Sequence, residues 1–438
     1  MIVGLFHGAR HSRAYGSPRS KLHTWLVPAL YAVGAIALGL TLPRIENYFL
    51  PGLTSTITVG QATAIYSAIA SGMIALTGIV FSLAFVMMQF SASTYTPRLV
   101  MWIARDPVMS HALGIFTATF LYALAALSGV DRNRSGHVPF VSLWVVIALV
   151  LASLAMFIKL IQLIGLLQVT RMLIFTGDRG REVIATTYPL QKSEIVAKEP
   201  VDLSGLTCAQ TLIHHGRPRS IQAVDVAALV SLAAASDGTI EMAAAVGDTM
   251  VEMMPLLRLY GARQPIDERN LWNAIELGDE RTFEQDPKYA IRLLVDIAIR
   301  ALSPAINDPT TAVQALDQIE DLLIRLGQRH LEIGAYRDPT GQLRLVVPFP
   351  AWEDLVRLAF DEICFCGASS VQVMRRMNAL ISDLIPHVPE ERRSTLRHWQ
   401  GRVSATIARS FTGEEEKTEA MQEDRQGLGV PRQDSRRA

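Results

Sequence analysis

Cysteine is scarce. Three residues in a chain of 438 exclude a disulfide framework and fit a reduced, intracellular setting. Net charge is missing as well: Lys plus Arg and Asp plus Glu both total 41, which argues against a bulk nucleic-acid binder. No G-x-x-x-x-G-K-[ST], G-x-G-x-x-G or G-x-S-x-G motif occurs, so neither a phosphate cradle nor a nucleophile elbow is written in the chain. No enzyme activity is expected, and no cofactor. The most informative absence is local. From Asn47 to Pro97, 51 consecutive positions carry no charged residue, a run that no ordinary soluble domain needs.

What is present divides along the chain. Residues 1–170 carry ten Lys/Arg and three Asp/Glu, a net of +7, which leaves −7 for residues 171–438. Charge is sparse in the first part and dense in the second. The fold class this implies is an α-helical integral membrane protein with four transmembrane helices, followed by a cytoplasmic α+β domain. A spanning helix needs about 20 mostly apolar residues. Four segments qualify, at 25–42, 62–90, 111–130 and 141–158, within a membrane region covering 25–170. Residues 1–24 form a basic arm, 171–262 a small β-rich subdomain, 263–411 a mainly helical subdomain, and 412–438 a polar tail expected to be disordered. The first segment has no small-residue cleavage site before Pro43 and is read as an uncleaved anchor. No Asp, Glu or Lys falls inside the first three predicted spans, and His111 sits at a span edge as an interfacial residue.

Orientation follows from Lys/Arg in the short loops. Arg10, Arg13, Arg19 and Lys21 precede the first span; Arg98 and Arg105 follow the second; Lys159, Arg171, Arg179 and Arg181 follow the fourth. The opposite side has Arg44 alone in one loop and Arg132 and Arg134 beside Asp131 in the other. Both termini should face the cytoplasm of a bacterial inner membrane.

The second span is the unusual one. Its 29 residues would extend about 43 Å as a helix, beyond a hydrocarbon core of about 30 Å. Ser67, Ser71, Gly78, Ser82 and Gln89 fall within a stripe about 60° wide at helical spacing. Such a stripe can pack helices closely or line water as the wall of a pore in a homo-oligomer.

In the second part, Ser220–Asp225 reads as a short strand leading to a helix at Val226–Ala235. Residues 239–246 and 249–259 read as a hairpin turning at Gly247-Asp248, in a phrase like that of lipoyl- and biotinyl-type barrels. A carrier role is excluded because no lysine occurs between Lys198 and Lys288. Asp286-Pro287 and Asn307-Asp308-Pro309 read as helix starts, with the acid as N-cap and proline in the first turn. Gly177-Asp178-Arg179-Gly180 should end the helix before them, and Leu343–Phe349 should be a strand. Two further helices are expected at about 352–383 and 389–411.

The run from Arg281-Thr282-Phe283-Glu284-Gln285-Asp286-Pro287 to Ala305-Ile306-Asn307-Asp308-Pro309-Thr310-Thr311-Ala312 carries a resemblance. It is similar to the hallmark of a bacterial family of predicted membrane proteins named domain of unknown function 2254, and Gly78-Ile79-Val80-Phe81-Ser82 and Pro97-Arg98-Leu99 look similar too. The likeness covers roughly residues 22–411. It departs at Met253-Met254-Pro255, where the family tends to have glycine. The resemblance implies a bacterial integral membrane protein and supplies no reaction.

The densest polar constellation lies in the same block: Arg281, Gln285, Asp286, Arg292, Asp296, Ser303, Asn307 and Asp308. It reads either as N-caps plus an i,i+4 salt-bridge ladder or as a pocket for a small anion or a protein partner, with two helix N-termini beside arginines. His214-His215 has no third ligand at metal spacing and reads as a solvated loop pair, while Cys364 and Cys366 point about 200° apart on a helix. No metal site is expected. The leading expectation is therefore an oligomeric channel with a cytoplasmic gating or assembly domain. A membrane-anchored, non-transporting regulator is the alternative.

Overall fold

The computed structural model describes residues 26–49, 57–94, 107–130, 138–165, 168–190 and 203–429. The basic arm, the connection holding Arg98 and Arg105, the Asp131–Arg134 loop and residues 430–438 lie outside the described residues. The chain divides into two compact units, residues 1–168 and 169–438.

The first unit contains four helices long and apolar enough to cross a membrane: α1 (Leu26–Phe49), α2 (Val59–Thr94), α3 (Pro107–Leu127) and α4 (Phe140–Gly165). Helix is the natural state of such segments, because in hydrocarbon every backbone N–H and C=O must be satisfied within the segment. The third helix is the hub and packs on the other three. Its contacts are built from Ala118, Tyr122, Ala123 and Ala126 against Ala62, Tyr66 and Ala70 of α2, Ala35 of α1 and Val146 of α4.

One boundary differs from the sequence expectation in a way that matters. The first span does not stop at Pro43-Arg44. Its helix runs through Pro43 to Phe49, with Pro43 itself buried. A proline removes one backbone bond, yet helices that pack within a membrane tolerate it. The extra turns bring Glu46 into the helix at 4% exposure, so an acid does lie within the first span.

The second unit opens with α5 (Val169–Thr187). The expected stop at Gly177–Gly180 is absent, since the helix passes straight through it. Both glycines are buried contact points instead. A Cβ on Gly180 would stand 2.8 Å from Leu322, and one on Gly177 would stand 2.1 Å from the Gln318 side chain. They allow α5 to lie close against the helix that carries Gln318 and Leu322.

Next come β1 (Cys208–Ile213), β2 (Arg219–Val224), α6 (Val226–Ala235), β3 (Thr239–Met242), β4 (Thr249–Met250), β5 (Pro255–Tyr260), α7 (Glu268–Asn273) and β6 (Ile275–Gly278). Asp225 caps α6 by accepting from Ala228 N at 2.9 Å. The remaining elements are α8 (Pro287–Ala301), α9 (Pro309–Gly327), β7 (Ala335–Arg337), β8 (Leu343–Val346), α10 (Trp352–Cys366), α11 (Val371–Leu384), α12 (Glu390–Ser410) and α13 (Glu414–Met421).

The expected 239–259 hairpin forms only in part. β3 pairs antiparallel with β5, but β4 leaves to pair with β2. Two sheets result, ordered β1-β5-β3-β8-β7 and β4-β2-β6. β8 joins β3 in parallel, so a strand from the mainly helical stretch completes the β-rich core. Ile221, Leu229, Ile240, Met250, Leu257, Leu259 and Leu345 meet in that core. The long helix expected from Trp352 is two, because Gly367 caps α10 and Ser370 starts α11 by accepting from Val373 N at 3.4 Å. Beyond Thr412, where low apolar content suggested disorder, α13 docks on α11 instead. Arg375 donates to Glu419 O and Asn378 to Ala420 O, so polar side chains of α11 supply the contacts that apolar ones do not.

Candidate functional site

In the first unit, α2 turns two chemically different faces in opposite directions. Ala62, Tyr66, Ala70, Met73 and Val80 are buried. Ser67, Ser71, Gly78, Ser82 and Gln89 are all exposed. The two sets are centred roughly 140° apart at 3.6 residues per turn. All five stripe residues predicted from the sequence therefore share one outward face, flanked by exposed Ile74, Ile79 and Phe81. Helix α2 has 36 residues, about 54 Å.

A second polar feature of this unit escaped the sequence reading. Glu46 of α1 accepts from the backbone N–H groups of Val141 (2.8 Å) and Ser142 (3.2 Å), closing the first turn of α4 with a carboxylate. Beside it the Tyr122 hydroxyl bonds the Ser142 hydroxyl at 2.9 Å and also reaches Ser142 O at 3.2 Å. The signal was the lone acid just past Pro43, which a breaker reading assigned to a loop. On the same helices, the Tyr31 hydroxyl meets His111 Nδ1 at 3.2 Å, with the rings edge-on at 5.9 Å.

In the second unit the eight residues of the 281–312 block do not converge on one point. Arg281 donates through Nε and Nη2 to Oδ2 of Asp286 at 2.9 and 2.6 Å, and its guanidinium lies 5.3 Å from the Tyr289 ring centre. Asp286 stands at the N-cap position of α8 but makes no side-chain cap bond, contrary to the sequence expectation. Its carboxylate turns to Arg281 instead. It is 2% exposed, and Oδ1 meets no donor among the described residues. Burial pushes this carboxyl up, against the opposing pull of Arg281. Gly247, in the left-handed region at φ +90°, brings its backbone so close that a Cβ would stand 2.0 Å from Asp286 Oδ2.

Gln285 stitches the block to β2, accepting from Val224 N at 3.0 Å and donating to Val224 O at 3.2 Å. Arg292 is bidentate on Glu362 at 2.5 and 2.9 Å and also pairs with Asp296 at 2.5 Å. The hydrogen bond to Glu362 is the main cause of the upward push on its guanidinium. Asn307 takes φ +50° and bonds through its N–H to Ser303 O at 2.8 Å, so this pair makes the tight link between α8 and α9. Asp308 is the N-cap foreseen, accepting from Thr311 N at 3.1 Å and Thr311 Oγ1 at 2.6 Å. Both arginines thus already face carboxylates of their own chain.

Glu276 and Glu284 are pushed up by burial, Glu284 further by the charge of Glu276. His214 differs from the solvated reading. It is 4% exposed, with Nε2 3.0 Å from Arg217 O, whereas His215 is exposed and pairs with Glu252 at 2.8 Å. Cys364 is buried and Cys366 exposed. Among the described residues no group of three or more His, Cys, Asp or Glu is arranged to hold a metal ion.

Residues 21–383 match the family described as predicted membrane protein (DUF2254). Two uncharacterized proteins, one from Mycobacterium bovis and one from Mycobacterium tuberculosis, are 27% identical to this chain over 411 residues, covering 90% of it and 78% of each relative. No solved structure matches the chain.

Proposed function

The chain belongs to the DUF2254 family of predicted membrane proteins, and from that premise we propose that it is an oligomeric channel or pore-like protein whose second helix lines the path. The observation that carries this reading is the outward face of α2. Ser67, Ser71, Gly78, Ser82 and Gln89 point away from the helices of their own unit. In hydrocarbon a polar side chain without a partner is costly. Assembly of copies around these faces removes that cost by giving each stripe water or a neighbouring stripe. The length of α2, well beyond the hydrocarbon thickness of about 30 Å, suits a helix that also extends the path past the bilayer.

In this reading the second unit serves gating or assembly, since all four membrane-length helices precede Gln168. The loop charges support an inner membrane with both termini in the cytoplasm. The weaker alternative is a regulator that binds a small anion or a protein partner through the 281–312 block. Its ligand has to compete with Asp286 for Arg281 and with Glu362 and Asp296 for Arg292.

Ion flux through liposomes holding the purified protein tests the proposal. Ser71→Leu and Ser82→Leu should cut flux at least tenfold while leaving the assembly's mass unchanged. Full flux in both variants sinks the assignment of α2 as the wall.

A further inference from the structure

Inside the first unit Glu46 of α1 and Tyr122 of α3 both bond Ser142 of α4, and Tyr66 of α2 is buried with Tyr122 in the same core. All four are buried, at 4%, 1%, 0% and 1% exposure. Two things about the cluster are incomplete. The first is charge. Glu46 pairs with no Lys or Arg among the described residues, and the two N–H groups it accepts belong to a helix N-terminus, which offsets about half an elementary charge. The second is hydrogen bonding. The Tyr66 hydroxyl is fully enclosed in the same core as Tyr122, and no hydrogen bond of ordinary geometry reaches it among the described residues. A buried hydroxyl left alone costs free energy comparable to a lost hydrogen bond.

We propose that this cluster binds a small monovalent metal cation of sodium or potassium size, held by the Glu46 carboxylate and the hydroxyl oxygens of Tyr66, Tyr122 and Ser142. The donors are all hard oxygens, which suit hard cations rather than zinc or copper. The negative charge left on Glu46 calls for one positive charge at most, and a divalent ion would overfill it. Each carboxylate oxygen spends one lone pair on a backbone N–H and keeps another for the ion. The cation ties together all four helices and gives the Tyr66 oxygen its missing partner. The site is independent of the outward stripe of α2, because Tyr66 lies on the opposite, buried face of that helix.

The test uses the full chain in detergent, melted in sodium or potassium chloride and in choline chloride at equal ionic strength. A cation that binds only the folded state raises Tm as its concentration rises. The shift over choline should disappear in Glu46→Gln and in Tyr66→Phe, and the second variant keeps the carboxylate cap and should fold. Saturable binding of radioactive sodium to the wild type, competed by unlabelled sodium or potassium and lost in Tyr66→Phe, supports the same conclusion. An alkali-dependent shift of equal size in Tyr66→Phe overturns it. So does a wild-type Tm that follows pH but neither alkali ion, which would make a proton the occupant.

Discussion

At the scale of single residues, the second unit depends on a few positions whose neighbours leave no freedom. Gly247 is the clearest. Its φ of +90° strains any other residue, and a Cβ there would run into the carboxylate that Arg281 holds. Gly247→Ala should cost about 1–3 kcal/mol from backbone strain alone, read as a lowered midpoint in urea unfolding of the full chain. A wild-type midpoint would mean that Asp286 is not fixed against the 246–248 backbone. Asp338 makes a comparable case in pH. In the turn between β7 and β8 it accepts from Thr340 N, Thr340 Oγ1 and Gln342 N, and from Arg344 Nε at 2.8 Å. The Thr340 and Arg344 contacts hold its carboxyl down to about 2. A carboxyl depressed on folding contributes stability above its unfolded pKa, about 3.9, and loses it as pH falls through the folded value. Asp338→Asn should therefore melt below the wild type at pH 7, and the gap should close between pH 4 and pH 2. A gap that stays constant over that range contradicts the assignment.

At the scale of elements, legibility followed from where the information is stored. Asp308 with Pro309, Asp225 before α6 and the apolar faces of α8 and α9 are local signals, and each element formed where its signal lay. Two misreadings share a cause: a residue that breaks structure in water was answered by a distant neighbour. Pro43 is enclosed within the helix unit, and Gly177 and Gly180 pack on α9 rather than ending α5. The 239–259 hairpin yielded to β2, which recruits β4 from 29 residues away at Ser220 and Thr249. Of the candidate sites, the α2 stripe was readable because it is periodic. The Glu46 cluster was not, because its four members are brought together only by packing. The helical block adds a testable junction. Arg376 of α11 is 2% exposed and pairs with Asp317 at 2.8 Å and with Glu320, both on α9. Arg376→Met should destabilise by about 3 kcal/mol, the lower end for a broken buried pair, because the Asp317 side chain is half exposed. Unchanged denaturant stability would show that α9 and α11 are held by their apolar contacts alone.

At the scale of the whole molecule, the chain separates two kinds of work. Its first unit spends almost no charge, encloses Glu46 with Tyr122 and Ser142 between its helices, and turns the α2 stripe outward. Its second unit is dense in ion pairs, and many of them tie one of its elements to another. On the proposed function, the outward face of Ser67, Ser71, Gly78 and Ser82 meets water in the assembled protein. The most direct measurement replaces each in turn with cysteine, in a background where Cys208, Cys364 and Cys366 are serine, and adds a charged, membrane-impermeant thiol reagent to protein in liposomes. Ile79→Cys, exposed but off the stripe, serves as the control. The stripe positions should react and their modification should block flux, while position 79 stays inert. Unreactive stripe cysteines, or equal reaction at position 79, would contradict the proposal.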